Sequence, residues 1–517
     1  MSSCSMKPGL TTNDVTADDF EQSASMPGKS DVSYRQTLHM RKNFVGKSCK
    51  LHFELSPLKI VRAARQYVYD DTGQEYLDCI NNISHVGHCH PHVVSVGQEQ
   101  MAKLTCSFGF LNEQTALYAK RLISTLPESL CVCFFVSSGS EANDLALRLA
   151  AAYTKKHDVI CLDEGYHGNL GTLIEISPIC SKEAGLKHQP KDWVHVAPTP
   201  KTFRGKFDAG ESNIGHLYAN EVLKLIQKAK QNGREIGAFI SEPIINRGGM
   251  VVPPENYFAH VYRYVRENGG VCIADEVQSG LGRCGQHFWG FQVHNVVPDI
   301  VTMGKPIGNG YPLAAVVTTK DIADSLGNFY STFGGNPLAC AIGRAVLDVI
   351  DNEKLVSSAK NVGKCLKDGF NEIWPQHPMI GDIRGVGMMI GIELVMDKES
   401  KKPASEAAEI LAYKMKEKKI IVGIEGPDNN VVVLLPPLCF TTENARLVVQ
   451  TFSEVLASIE SGAVSMGPAN TEETLSGCAE TIPLNVLTDQ HPSMFSDEMD
   501  EDHYDTMTKR ARYEDVD

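Results

Sequence analysis

Apolar positions along the chain fall into short runs separated by longer amphipathic stretches, and from about residue 114 the alternation becomes regular. The pattern predicts a helix over 116–126 and a strand over 131–136. A helix follows over 141–155, with Leu145, Leu149 and Tyr153 on one face. Strands at 159–162 and 237–241, a helix at 258–267 and strands at 271–274 and 299–303 continue the series. Strands this short, separated by helical segments, indicate βαβ units and a buried, mostly parallel sheet flanked by helices. Beyond about 345 the pattern changes. A long helix over 339–353 gives way to glycine-rich strands within 385–394, then to a helix–strand–helix ending near 458. The expected organisation is an α/β protein with a large domain over 86–344. A smaller α+β domain draws on both chain ends, residues 34–85 and 345–460, and tails cover 1–33 and 461–517.

Charge refines the picture only at the tails. The chain of 517 residues carries a formal charge of −14. Residues 463–517 hold 13 acids against 3 bases, and residues 1–33 hold 5 acids against 2 bases, so the body between them is nearly neutral. A nearly neutral body argues against the basic face that nucleic-acid binding requires, so no nucleic-acid partner is expected. No run approaches the roughly 18 apolar residues of a membrane span, so no membrane role is expected. Fifteen cysteines are scattered without CxxC pairs, several within apolar runs (Cys79, Cys131, Cys133, Cys272), which reads as free thiols in a reducing compartment. The first 33 residues have no apolar signal core; they contain acids and no arginine, unlike a mitochondrial transit peptide. The expected location is the cytoplasm, with the mitochondrion as the alternative. The Lys509-Arg510-Ala511-Arg512 run reads as part of a solvated tail, with a nuclear address as the other reading.

In parallel sheets ligands gather at the carboxyl ends of strands, so the residues just past each predicted strand carry the chemistry. The first strand leads into Ser137-Ser138-Gly139-Ser140-Glu141. Serines and a glycine entering a helix present backbone N–H groups to an anion such as a phosphate; the same residues also read as a plain serine N-cap. The second leads into Gly165-Tyr166-His167-Gly168, where an aromatic between glycines either covers a planar ring or decorates a surface loop. The third ends at Ala274-Asp275-Glu276. An acid after apolar strand residues needs a cationic partner, which a heterocyclic N–H⁺, a metal or a buried salt bridge would supply. The fourth ends at Met303-Gly304-Lys305-Pro306. A lysine at a buried strand end is pushed toward the neutral amine that Schiff-base chemistry needs, although Gly-Lys-Pro also occurs in surface turns. Together the four describe one ligand, pyridoxal phosphate (PLP). A metal reading of His85-Val86-Gly87-His88-Cys89-His90-Pro91-His92 competes with it, but the chain has no helical H-E-x-x-H and no second ligand cluster. A glycine- and proline-containing turn at the domain junction fits that segment better.

Over roughly 34–458 the chain resembles the class-III (ω-) aminotransferases, PLP enzymes of fold type I. The resemblance rests on Gln66-Tyr67-Val68-Tyr69-Asp70-Asp71-Thr72-Gly73, Gly87-His88-Cys89-His90-Pro91, Ser138-Gly139-Ser140-Glu141-Ala142 and Tyr166-His167-Gly168. It continues through Ala274-Asp275-Glu276-Val277-Gln278, Met303-Gly304-Lys305 and Phe333-Gly334-Gly335-Asn336-Pro337. It implies that Lys305 forms the Schiff base and Asp275 pairs with the ring nitrogen. Ser138, Gly139 and Ser140 would hold the phosphate, Tyr166 with His167 would cover the ring, and Gln278 would reach the ring hydroxyl. Glu242 would line the site, Thr332 would reach a neighbouring subunit's cofactor phosphate, and Arg384 would bind a substrate carboxylate. A homodimer or homotetramer is implied as well.

Within the family the chain is most similar to the branch of alanine–glyoxylate aminotransferase 2-like proteins that includes ethanolamine-phosphate and phosphohydroxylysine phospho-lyases. The segments are Leu77-Asp78-Cys79-Ile80-Asn81-Asn82, Asn143-Asp144-Leu145-Ala146-Leu147-Arg148-Leu149, Val194-His195-Val196-Ala197-Pro198 and Leu435-Pro436-Pro437-Leu438-Cys439-Phe440. Two segments depart from the branch: Gly109-Phe110-Leu111, where an arginine is usual, and Pro243-Ile244-Ile245-Asn246-Arg247. The implied activity is elimination of phosphate and ammonia from a phosphorylated amine such as O-phosphoethanolamine. The alternatives are transamination to a keto acid, or a catalytically silent scaffold, which an intact Lys305 and Asp275 oppose.

Overall fold

The computed structural model describes residues 32–107, 109–183, 189–208 and 210–463. The expected tails therefore lie almost wholly outside the described residues, as does the Lys509–Arg512 run. No helix among the described residues is long and apolar enough to cross a membrane.

Among the described residues fifteen strands form three sheets. β1 (Ile60–Ala64), β2 (Tyr67–Asp70) and β3 (Glu75–Asp78) make an antiparallel meander. β4 (Val132–Val136), β5 (Asp158–Leu162), β6 (Val194–Ala197), β7 (Ile236–Ser241), β8 (Val271–Asp275), β9 (Ile300–Met303) and β10 (Ala314–Thr318) build a seven-stranded sheet in the order β4-β10-β9-β8-β7-β5-β6. β11 (Ile380–Val386), β12 (Met389–Leu394), β14 (Gly423–Glu425) and β15 (Val431–Leu434) form the third sheet. β13 (Ile420–Ile421) crosses to the first and runs parallel to β3, opposite Leu77 and Asp78. Residues from both ends of the body thus share one sheet.

The central strands are buried throughout because helices cover both faces. Ile273, Ile300, Ala314 and Val316 pack with Leu145 and Leu149 of the helix Gly139–Thr154. Their neighbours Ala274, Val301, Ala315 and Val317 pack on the opposite side with Tyr118, Ala339 and Val346 from the helices Glu113–Ile123 and Pro337–Asn352. That second cluster runs on without a break into Ile390, Leu411 and Phe452. The described residues accordingly cluster as one compact unit. Tyr153 departs from its expected place: one residue before the helix ends, it is exposed rather than packed with Leu145 and Leu149.

Two strands of the main sheet, β6 and β10, escape the sequence pattern. β10 is antiparallel to both neighbours, with Ala315 opposite Met303 on one side and Phe135 on the other. Only residues 304–313 separate it from β9, too few for the crossover of a dozen or more residues that a parallel partner requires. The geometry has one useful consequence. Since β10 reverses twice, β4 points the same way as β9, and the carboxyl ends of β4, β5, β7, β8 and β9 open on one edge of the sheet.

The third sheet docks through a close backbone approach. Gly387, at φ +58, connects β11 to β12; a Cβ there would lie 2.3 Å from the carbonyl oxygen of Arg283. Only glycine fits that turn. The histidine-rich segment forms a junction of the turn type. Asn309, closing the 3₁₀ turn Lys305–Gly308, accepts from the N–H of Val86 (2.9 Å) and donates to the carbonyl of Gly87 (3.0 Å). His88, His90 and His92 face Asp78, Glu353 and Asp348 separately. Among the described residues no three potential ligands converge on a metal position.

Candidate active site

The carboxyl edge of the sheet gathers the residues singled out at its strand ends. Asp275, the last residue of β8, is buried. Its Oδ2 accepts from His167 Nδ1 and from Asn143 Nδ2, each at 2.8 Å, and its Oδ1 accepts from the N–H of Val277 at 3.1 Å. Asn143 is itself fixed: its amide nitrogen also donates to the carbonyl of His167, and Thr302 Oγ1 donates to its oxygen at 2.6 Å. Asp275 is therefore an oriented anion whose contacts are neutral donors and one imidazole. The cation that such a burial calls for is not supplied by an arginine or lysine contact among the described residues.

Lys305 follows β9 through Gly304 and opens a 3₁₀ turn. Its backbone sits at φ +24, an unusual value for a residue with a side chain, held by Pro306 and the Asn309 anchors. The residue is part-buried, while protein surrounds its amine. Burial pushes that amine down to about 8, against the upward pull of Glu242, Asp275 and Glu425. Glu242, after β7, is pushed up to about 8 by burial and by the charge of Asp275, although the N–H groups of Tyr166 (3.3 Å) and Asn246 (3.1 Å) oppose the shift. A lysine poised to lose its proton thus faces a carboxyl poised to keep one.

The helix Gly139–Thr154 enters the same edge. Ser138 is a true N-cap, its Oγ accepting from the N–H of Glu141 at 3.1 Å. The cap reading and the anion reading hold together, because the first N–H groups, of Gly139 and Ser140, still lack an intrahelical acceptor. Gly139 is required for packing: a Cβ there would come within 2.9 Å of Val277. Ser140 Oγ accepts from the N–H of Asn169 at 3.3 Å, beside the Tyr166-His167-Gly168 turn. Gln278 is buried, its Oε1 accepting from Asn82, which leaves the amide nitrogen to donate elsewhere.

These residues fit PLP. Asp275 is buried with no arginine or lysine contact among the described residues, His167 Nε2 is a buried polar atom with no partner among them, and a depressed lysine amine lies within the field of both acids. Asp275, with His167 and Asn143 behind it, would hold the ring nitrogen; Gly139 and Ser140 would hold the phosphate.

Two expected site residues stand apart from this cluster. Arg384, on β11, donates from Nε to the carbonyl of Gly249 (2.7 Å) and from Nη1 to Asp382 (2.8 Å) and Glu393 (2.7 Å). Its charge is neutralised within the fold, where it ties β11 and β12 to the turn after β7. Thr332 is exposed, bonded to the hydroxyl of Tyr330 at 3.1 Å. It lines a cleft of about 540 Å³ beside Phe110, Leu111 and Gly335. The sequence reading missed Asn143 and Thr302 as supports of Asp275, and the pair Arg247–Glu425 altogether. Asn143 had a signal, a polar residue on the buried face of a helix one turn beyond Gly139. Glu425 had none, since it arrives from another sheet.

Residues 52–456 match the aminotransferase class-III family. The chain is 43% identical over 470 residues to a Drosophila melanogaster protein named alanine–glyoxylate aminotransferase 2-like, covering 89% of this chain and 95% of that one. It is 40% identical over 449 residues to the Caenorhabditis elegans ethanolamine-phosphate phospho-lyase homolog 1, covering 84% and 96%. Among solved structures, an Arthrobacter phospholyase in complex with phosphoethanolamine superposes with a TM-score of 0.77 at 35% identity, covering 82% of this chain and 99% of that one.

Proposed function

Because the chain belongs to the class-III aminotransferase family and is a PLP-dependent enzyme, we propose that it is a phospho-lyase acting on a phosphorylated primary amine such as O-phosphoethanolamine. The observation that carries this reading is the cluster of Lys305, Asp275 and Glu242 at one strand edge, in a chain similar to a phospholyase bound to phosphoethanolamine. The bound cofactor supplies an aldehyde for the substrate amine and an electron sink for the carbon beside it. Asp275, oriented by His167 and Asn143, would hold a proton on the ring nitrogen. Lys305 Nζ would take the proton from the substrate carbon that bears the nitrogen. Phosphate would then leave from the adjacent carbon. Water then completes the balance: O-phosphoethanolamine and one water give acetaldehyde, ammonia and inorganic phosphate.

The holoenzyme supplied with O-phosphoethanolamine and no keto acid is expected to release ammonia and phosphate in equal amounts. Strict dependence on pyruvate or glyoxylate would instead make it an aminotransferase, the reading favoured by the name of the Drosophila relative.

We also assign Thr332 to the cofactor phosphate of a second copy. Phe110 and Leu111, at 80% and 101% exposure, line the Thr332 cleft with Tyr330 and, with the exposed Phe333, leave an apolar surface that a copy would cover. The active species should therefore have at least twice the chain mass in light scattering. A monomer with full turnover would refute the assignment.

A further inference from the structure

Residues 241–250 form the run that carries Glu242 past β7, and nine of the ten are buried. The exception is Arg247. Its side chain keeps 33% of its surface exposed. The backbone beneath it is fixed on both sides: the N–H of Asn246 donates to Glu242, and the carbonyl of Arg247 accepts from Gly426 at 3.0 Å. The guanidinium lies 5.5 Å from the centre of the Tyr166 ring, and its Nε is 3.2 Å from Glu425 Oε2. Glu425, at the end of β14, is also partly open, at 19%.

The charge balance around Lys305 makes this arginine unusual. The groups acting on the lysine are the acids Glu242, Asp275 and Glu425 and one cation, Arg247. A phosphomonoester entering beside the carboxylates of Asp275 and Glu425 needs a cation to meet it. Arg384 does not serve, since its guanidinium is held by Asp382 and Glu393. A guanidinium stacked near an aromatic face and anchored on rigid backbone suits bidentate recognition of phosphate. Arg247 also falls in the segment where the chain departs from its branch.

We propose that Arg247 is the receptor for the phosphate end of the substrate, and that Glu425 holds it in the empty site and yields it to the incoming anion. This rests on the phospho-lyase reading for the identity of the ligand, while the subsite rests on geometry alone. Glu425 then has a second role: it screens Arg247 against weaker anions, because an entering group has to compete with a carboxylate already in place.

The test compares binding of O-phosphoethanolamine and ethanolamine to the holoenzyme, read from the initial change in cofactor absorbance. Wild type should favour the phosphorylated amine. In Arg247→Met that preference should fall roughly 10- to 100-fold, the size of a lost charge-assisted contact. Arg247→Lys, which keeps the charge and loses the fork, should be intermediate, and Glu425→Gln should bind O-phosphoethanolamine several-fold more tightly. Wild-type preference in Arg247→Met, or no preference in wild type, would overturn the subsite. Preference retained by a wild type that releases no phosphate would instead overturn the lyase reading and support the subsite.

Discussion

Replacing Lys305 by alanine abolishes covalent capture of the cofactor and lowers turnover by at least about 10⁴-fold, because one amine serves as both Schiff-base nucleophile and proton acceptor. The fold survives. The Asn309 anchors that shape the turn are untouched, and alanine removes a cation that burial already disfavours. The wild-type protein adds a pH signature. With the Lys305 amine pushed down to about 8, the neutral, nucleophilic fraction grows as pH rises through 8 and then saturates. Cofactor capture by the apoprotein should follow that curve rather than climb toward the ordinary lysine range. A Lys305→Ala protein that still forms the bound cofactor band, or that turns over, would show that another amine does the work.

Asp275→Asn is the second large effect. The asparagine preserves shape but removes the negative charge that keeps a ring nitrogen protonated, so the proton-abstraction step should slow by roughly 10²- to 10⁴-fold. Cofactor binding should weaken far less, since the cradle at Gly139 and Ser140 is unchanged. His167 and Asn143 both donate to Asp275 Oδ2, and an amide nitrogen turned toward either would meet a donor. The variant should therefore also lose some thermal stability, which calorimetry separates from the kinetic loss. Full turnover with altered stability would make Asp275 a purely structural group.

The strand ends that carry the candidate site were legible in the sequence for a physical reason. Strands buried on both faces read as short apolar runs, so polar residues just past each run are conspicuous; Ser138, Tyr166, Asp275 and Lys305 were singled out in this way. The method fails where position is set by distant chain. β10 was missed because its run, Ala314–Thr318, follows β9 too closely for the expected parallel crossover. Thr302 lies inside an apolar strand and gives no sign that it orients Asn143. Arg247 appeared only as a departure in a loop. Its meaning came from Glu425, brought alongside by a different sheet. Arg384 shows the converse: a motif arginine has three acceptors inside the fold that no local pattern announces.

The central claim is that one particular amine carries the cofactor. Reducing the PLP-loaded protein with borohydride and mapping its peptides by mass tests it directly. The pyridoxyl group should be found on Lys305 and should be absent from Lys305→Ala. Recovery of the label on a different lysine, or equal labelling of the variant, would contradict the account.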